Sequence, residues 1–373
     1  METQSILIMN WRDIRNPDAG GAEVFTHEVA KRWVRWGHEV TILTSRYKGG
    51  PPEDLIDGVQ VLRRGDRFGV YRCARETYLE RFRIGTDVVL DEINTRPFLT
   101  PQYVDPETPL FALIHQLARE YWFSETPFPI SYLGYYFLEK RWLSRYAGIP
   151  CVTVSESTKK DLLDLGFEEV CVVPEGLSLE PLEQAPEKPK VPSFVFVGRL
   201  TRAKKPDIAI HAFRIVRRSI PNARLSVVGD GYLRKELERL APDGVTFYGK
   251  VPDEEKLRLI REAHVILIPG TREGWGLVVL EANALGTPAV AFNIPGLRDS
   301  VLHNQTGILL EENDAETMAN WCLRLVKESE LRTKLGENAL NWSRRFSWDI
   351  TAKAFMSFLR DRGSGGEPTQ STD

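Results

Sequence analysis

Two successive series of short apolar strands alternating with helical stretches predict an α/β chain of two doubly wound parallel-sheet, Rossmann-like domains. Length agrees, because 373 residues suffice for two separate cores of ordinary size. A proline-rich break agrees as well. Residues 175–192 hold Pro181, Pro186, Pro189 and Pro192, with Pro174 just before them, and read as an inter-domain linker. The expected organisation is an amino-terminal domain over 1–174, the linker, a second domain over 193–347, a helix near 348–362 and a flexible polar tail over 363–373.

In the first series, strands are expected at 5–10, 39–45, 59–64, 87–93, 110–115, 150–155 and 170–174, with helices near 20–36, 131–147 and 156–165. The second series gives strands at 193–198, 224–229, 245–248, 264–268, 288–292 and 307–310 with helices between them. It closes with helices over about 314–328, 330–345 and 348–361.

Two carboxylates, Glu273 and Glu281, flank Gly274-Trp275-Gly276 and the apolar run that begins at Leu277. The glycines permit unusual backbone angles and close ligand approach. First-turn amides of the following helix lack intrahelical acceptors and carry positive partial charge. At ~1.5 Å rise per residue the two glutamates stand up to roughly 12 Å apart, the span from a hexose to the ribose of a nucleotide sugar. Carboxylates suit both ends, since they accept hydrogen bonds from paired hydroxyls. The plainer reading is two solvated glutamates.

A second element sharpens the choice. Phe194-Val195-Phe196-Val197-Gly198 reads as a buried strand ending at glycine, followed by Arg199 and Lys204. Ligands of open α/β sheets bind at the carboxyl ends of strands. There Arg199 offers a fork of donors and Lys204 a point charge for a pyrophosphate.

These elements, with Val228-Gly229-Asp230-Gly231, Phe247-Tyr248-Gly249-Lys250-Val251-Pro252, Glu281-Ala282 and Gly286-Thr287-Pro288, resemble the carboxyl half of a family 4 glycosyltransferase. The amino half matches more loosely, through Gly20-Gly21-Ala22-Glu23, Gly37-His38-Glu39-Val40-Thr41, His115 and Val154-Ser155-Glu156-Ser157-Thr158. The resemblance implies a GT-B architecture, with two domains facing each other across a cleft and the last helix returning to the first domain. It implies a retaining transferase that moves a hexosyl group from a UDP- or GDP-linked sugar to a hydroxyl acceptor. That acceptor is a glycan, a lipid-linked glycan or a small molecule. It also implies that Arg199 and Lys204 hold the phosphates and that Gly20 and Gly21 close on them from the other domain. Glu273 with the amides of Gly274, Trp275, Gly276 and Leu277 takes the hexose hydroxyls, Glu281 the ribose, and Tyr248, Gly249, Lys250 and Val251 the base. The chain departs from the pattern in three places: Lys205 stands where glycine is usual, Trp275 for phenylalanine, and Glu175 for asparagine.

Net charge of −3 gives no basic field for nucleic acid. The four cysteines are scattered, without a C-x-x-C pair, which argues against structural zinc and disulfides and for a reducing cytoplasm. The start has no signal-peptide pattern, and no uncharged run reaches the ~18–20 residues that cross a bilayer. A cytoplasmic protein is expected, with peripheral attachment to the inner membrane face left open. No D-x-D triplet occurs, so neither metal nor other cofactor is expected at the pyrophosphate.

In the amino half, Gly20-Gly21 leads into a helix and suits either an anion cradle or a plain helix entry. Glu23 reads as a favourable first-turn acid. His115 ends a strand and is either structural or, by the resemblance, a catalytic-site donor near the transferred sugar; Asp91 and Glu92 end the strand before it. Residues 119–146 hold ten aromatics in 28 residues, with Lys140, Arg141 and Arg145 at the basic end. They form an aromatic core helix, an acceptor wall or a membrane-docking patch. Three rivals to a transferase stand: a nicotinamide dehydrogenase, which the missing G-x-G-x-x-G disfavours, a nucleotide-sugar epimerase, and a non-catalytic sugar-nucleotide binder.

Overall fold

Ile6, Leu7, Ile8 and Met9 are each at most 1% exposed, which only a strand covered on both faces allows. They belong to β1 (Ser5–Met9), near the middle of an eight-stranded sheet. The computed structural model describes residues 3–363, so all but the first residue of the expected tail lies outside the described residues. With β2 (Glu39–Thr44), β3 (Glu53–Ile56), β4 (Val59–Arg63), β5 (Val88–Glu92), β6 (Leu110–Leu113), β7 (Cys151–Thr153) and β8 (Val170–Val172), the order is β3-β4-β2-β1-β5-β6-β7-β8. Every pairing is parallel except β3 with β4; β4 matches the strand expected at 59–64, whereas β3 is absent from the expected elements. The turn joining them, Asp57-Gly58, has φ of 50° and 85°, and Asp-Gly is the dipeptide that favours such a two-residue turn. The helix Val70–Thr77 is a second element the apolar pattern did not suggest.

The helix Gly21–Arg35 buries Phe25, Val29, Ala30 and Trp33 at helical spacing. Its partner is the helix Trp348–Gly363: the Trp33 indole donates to the Ala352 carbonyl at 3.1 Å, and Trp33 meets Phe355 edge-on at 5.2 Å. Gly176 makes that approach possible, because a Cβ there would stand 2.5 Å from the Trp348 amide nitrogen. Residues 347–363 therefore group with the first sheet's unit, beside 3–119 and 133–176.

The other unit comprises 120–132 and 177–346. Its sheet joins β9 (Ser193–Val197), β10 (Arg224–Val228), β11 (Val245–Gly249), β12 (Val265–Ile268), β13 (Ala289–Ala291) and β14 (Gly307–Leu309), all parallel, in the order β11-β10-β9-β12-β13-β14. This is the doubly wound order whose direction reverses between the first and fourth strands, here β9 and β12.

Two expected boundaries differ. Residues 177–192 are a packed part of the second unit rather than a free linker. Leu177 packs with Leu280 and Ala284, the Leu182 amide donates to the Ala284 carbonyl at 2.9 Å, and Lys188 Nζ bonds the Arg261 carbonyl and Thr287. Proline there fixes an extended path over apolar surface. Residues 120–132 leave the expected 1–174 domain and join the second unit, for reasons given by the polar contacts below. Among the described residues no helix is long and apolar enough to cross a membrane.

Candidate active site

In the second unit the reversal point lies where β9 and β12 end, and the charged residues foreseen by sequence gather there. After β9, the Gly198 amide donates to the Val228 carbonyl at 3.0 Å and the Leu200 amide to the Asp230 carbonyl at 2.9 Å. Gly229, at φ 126°, lets the strand ends touch, since a Cβ would collide with the Gly198 carbonyl oxygen. Arg199 emerges between them, exposed and without a side-chain partner among the described residues. A short turn, Arg202–Lys204, follows. It hands over at Lys205 to the helix Pro206–Ser219. Lys205 sits at φ 48°, the left-handed conformation that explains why glycine is usual at this place. Its ammonium stands 5.3 Å from the centre of the Phe292 ring, a cation–π contact glycine cannot make.

The loop after β12 lies beside that turn, with the Thr271 amide donating to the Ala203 carbonyl at 2.8 Å. Lys204 Nζ forms an ion pair with Glu273 Oε1; the side chains are 22% and 15% exposed. Burial works to lower the Lys204 pKa, but the Glu273 carboxylate outweighs it and holds the value above the usual lysine range. Gly276, at φ 101°, caps the helix Leu277–Ala284. The amides of Gly274, Trp275, Gly276 and Leu277 make no backbone hydrogen bond among the described residues. Trp275 itself is 5% exposed, with its indole tilted against Phe346 at 5.5 Å between ring centres, so its amide rather than its ring is what the loop presents. Glu281 pairs with Lys256, Nζ to Oε1 at 2.8 Å; burial raises the Glu281 pKa while Lys256 opposes the rise. Lys256 carried no signal in the sequence. At the end of β11, Tyr248 and Lys250 are exposed, and Gly249 at φ 72° accepts the Gly229 amide at 2.8 Å.

Residues 120–132 hold these loops from outside. Glu125 accepts the Ala203 amide at 2.8 Å and the Tyr232 hydroxyl at 2.8 Å, and Tyr232 Oη accepts the Arg202 amide at 2.9 Å. The Tyr121 hydroxyl donates to the Arg272 carbonyl at 3.4 Å, and Arg272 pairs with Glu120 at 3.2 Å. Both the Lys204 turn and the loop before Glu273 are thus braced by one segment. A sequence pattern of aromatics and acids gives no hint of that.

In the first unit the reversal falls between β1 and β5. Asn94 Nδ2 donates to Asn10 Oδ1 across it at 3.1 Å. The loop after β1 is fixed by Asp13, which accepts two bonds from the buried Arg63 at 2.8 and 2.9 Å. The Gly20 N–H donates to Glu23 Oε2 at 2.6 Å, the carboxylate half of a capping box, while glycine has no side chain to make the other half. Glu23 also accepts from Arg12 Nε at 2.9 Å, so it does more than complement the helix dipole. The Gly21 amide makes no backbone bond among the described residues.

His115 is 6% exposed and meets Phe25 edge-on at 5.0 Å. Its Nε2 lies 3.4 Å from Glu92 Oε1, while Glu92 Oε2 accepts the Thr26 hydroxyl at 2.6 Å. Burial works against a charged His115, but Glu92, Glu175 and Glu23 together raise its pKa. Glu175, which sequence left without a place, therefore belongs to this cluster. Asp91 points to the other face of β5, as strand alternation requires, and bonds Tyr146 and Thr100 in the core. The aromatic stretch divides likewise. Trp122, Leu143 and Tyr146 are buried, whereas Phe128 is 79% and Phe137 66% exposed, so a purely core helix is ruled out. Among the described residues no group of three or more His, Cys, Asp or Glu is placed to hold a metal ion.

Residues 19–181 match the family model described as Glycosyltransferase Family 4, and residues 180–342 match Glycosyl transferases group 1. Similar curated proteins include the D-inositol 3-phosphate glycosyltransferase of Corynebacterium efficiens, 32% identical over 177 residues, 44% of this chain and 42% of that protein. The one from Frankia alni is 30% identical over 223 residues, 54% and 55% of the two chains. The chain thus spans about half the length of the curated relatives it matches. Among solved structures, sucrose-phosphate synthase from Thermosynechococcus elongatus superposes with a TM-score of 0.78 at 18% identity, covering 97% of this chain and 100% of that one. Anabaena HepE, solved in complex with UDP and glucose, gives 0.72 at 17% identity, covering 96% and 100%. At such identities the likeness establishes the fold, GT-B.

Proposed function

We infer the reaction from the premise that the chain belongs to the family 4 glycosyltransferases. It transfers a hexosyl group from a UDP- or GDP-linked sugar to a hydroxyl acceptor, with retention of anomeric configuration and without a metal. The observation that carries this reading is the Lys204–Glu273 pair, set beside Arg199 and a row of unengaged amides at the reversal point of a doubly wound sheet. The departing nucleoside diphosphate develops negative charge, which Arg199 and Lys204 stabilise from preorganised positions. Glu273 and the 274–277 amides orient the hexose hydroxyls, and Glu281 takes the ribose. Bond making joins the acceptor oxygen to the anomeric carbon as the carbon–phosphate-oxygen bond breaks. The acceptor proton passes to the departing phosphate.

The acceptor's reacting region is a neutral polyol. Glu23, Glu92 and Glu175 crowd the first unit's strand ends around His115, while Arg12 and Arg63 are paired to Glu23 and Asp13. Such a cluster hydrogen-bonds hydroxyls and repels phosphate, in contrast to what the names of the inositol 3-phosphate relatives suggest for them. A panel of UDP- and GDP-sugars in a thermal-shift screen, then transfer assays pairing the stabilising donor with polyols and their phosphate monoesters, tests both halves. Absence of any stabilising donor refutes the transferase reading. Preference for the phosphate monoester refutes only the acceptor reading.

A further inference from the structure

We propose, on the ribose assignment of Glu281 made above, that Lys256 is a positioning residue: it locks Glu281 so that the second unit takes ribonucleotides and rejects their 2′-deoxy counterparts. Lys256 lies in the first turn of the helix Asp253–Glu262, just after the Tyr248–Val251 stretch assigned to the base. Its ammonium bonds Glu281 Oε1 at 2.8 Å and Asp253 Oδ1 at 2.9 Å. The backbone beneath it is fixed. Leu259 and Ile260 are buried, and the Ile260 carbonyl accepts the Thr287 hydroxyl at 2.8 Å. The Lys256 and Glu281 side chains are 20% and 21% exposed, whereas Asp253 is 87% exposed. Asp253 is therefore a solvated partner, and Glu281 is the one that confines the ammonium.

One ammonium bond leaves Glu281 a lone pair on Oε1 and both on Oε2, enough for the two vicinal hydroxyls of a ribose. It also removes the carboxylate's freedom to turn toward water. A fixed acceptor that loses one of its hydroxyl donors stays unsatisfied, and so a site rejects an analogue lacking that hydroxyl. A mobile carboxylate recovers a water instead. Charge reinforces the lock. Burial raises the Glu281 pKa, Lys256 opposes the rise, and Asp253 adds to it. The other elements packed on the Glu281 helix bring uncharged groups: Leu335, Ala339 and Leu340 from the helix Ser329–Ser343, Leu177 from the segment before β9, and the alanines of β13. Only an ionised Glu281 accepts both hydroxyls, so ribonucleotide affinity falls as pH drops through its pKa. Removing Lys256 leaves burial and Asp253 unopposed and moves that fall to higher pH.

UDP, GDP, their 2′-deoxy forms and inorganic pyrophosphate are titrated by calorimetry into the full chain across the range from about pH 5.5 to about pH 8.5. The parent should prefer the ribonucleotide by about tenfold or more, the worth of a bond to a charged group. Lys256→Met should bring that preference within about threefold and shift the loss of affinity to higher pH, with pyrophosphate binding unchanged. Lys256→Arg keeps a cation in place and should hold the pH profile near the parent's. In transfer assays Lys256→Met should raise the donor KM and spare kcat. Unchanged melting temperatures certify the folds, and Lys256→Gln serves if the methionine variant does not fold. A parent that binds neither UDP nor GDP refutes the donor reading, and one that binds ribo and deoxy forms alike removes Glu281 from the ribose; either result takes the role of Lys256 with it. A parent that discriminates while Lys256→Met discriminates equally overturns the role of Lys256 alone. So does a loss that is uniform across pH and shared by pyrophosphate, the mark of a lysine that only supports the fold.

Discussion

Replacing Glu273 by alanine removes a group that the structure ties to both stability and charge placement. Lys204 and Glu273 are 22% and 15% exposed, intermediate between a surface pair and a fully buried one. Exposed pairs contribute 0–1 kcal/mol and breaking buried ones costs several, so the expected loss of stability is about 2 kcal/mol, a few degrees in melting temperature. The pH dependence changes sign. In the parent, the raised Lys204 pKa gives a contribution present at neutral pH and lost only as pH rises through a value above 10.5. Without Glu273, burial, the largest influence, with the neighbouring Arg199 outweighs the opposing Tyr121 and lowers the lysine. A lowered lysine costs stability when protonated, so the variant's deficit should shrink as pH climbs toward 10.5. In catalysis, loss of one preorganised group costs about 3 kcal/mol, or about 10²-fold in kcat.

The assay measures kcat and KM for transfer, with urea melts at several pH values between neutrality and pH 10. It compares Glu273→Ala, Lys204→Ala and the double variant. Two groups acting as a unit should show strong non-additivity, the double variant being little worse than either single one. Turnover of Glu273→Ala within about threefold of the parent would refute the assignment. Strict additivity in the double variant would refute the unit.

Glu281→Ala should weaken nucleoside diphosphate binding, measured by calorimetry, more than it lowers kcat, because the ribose is unchanged in the reaction. Equal affinity would remove Glu281 from the donor site. Lys205→Gly should leave the melting temperature nearly unchanged, since relief of left-handed strain, about 1 kcal/mol, offsets the lost Phe292 contact. Lys205→Ala keeps the strain, loses the contact and should melt lower. Transfer should persist in excess EDTA, because Arg199, Lys204 and the loop amides supply the charge; loss with chelator and rescue by magnesium would overturn that arrangement.

The two sheets were legible because buried parallel strands are apolar throughout, as Ile6–Met9 and Phe194–Val197 are, and no packing detail is needed to see them. Lys204 and Glu273 were legible as well, because each follows a strand end and a glycine. Strand β4 was read at 59–64, but its hairpin partner β3 was too short and too polar to read as a strand. What escaped depends on contacts remote in sequence. Glu125 meets Ala203, Lys256 meets Glu281 and Glu92 meets His115 through folding alone. The bond from the Gly20 amide to Glu23 was not foreseen for a related reason. A glycine before a helix suits either a phosphate cradle or a helix entry capped by a downstream carboxylate, and Glu23 three residues on is what the Gly20 amide meets here.

Each reversal point collects the polar side chains its core cannot hold, and the two collect opposite signs. In the second unit, Arg199 has no counter-charge among the described residues and Lys204 has only Glu273, beside amides without acceptors. A phosphate arriving there gains two cations and the helix dipole. In the first unit three glutamates surround one imidazole, and the nearby arginines are already committed. A phosphate would have to displace Glu23 from Arg12 and leave that carboxylate buried beside Glu92. Uncompensated buried charge costs several kcal/mol, more than a new charge-assisted bond returns. Hydroxyl groups face no such penalty, since they donate to carboxylates and accept from a ring N–H of His115. Substituting Glu175 for the usual asparagine strengthens this bias and so separates the ligand chemistry of the two units further.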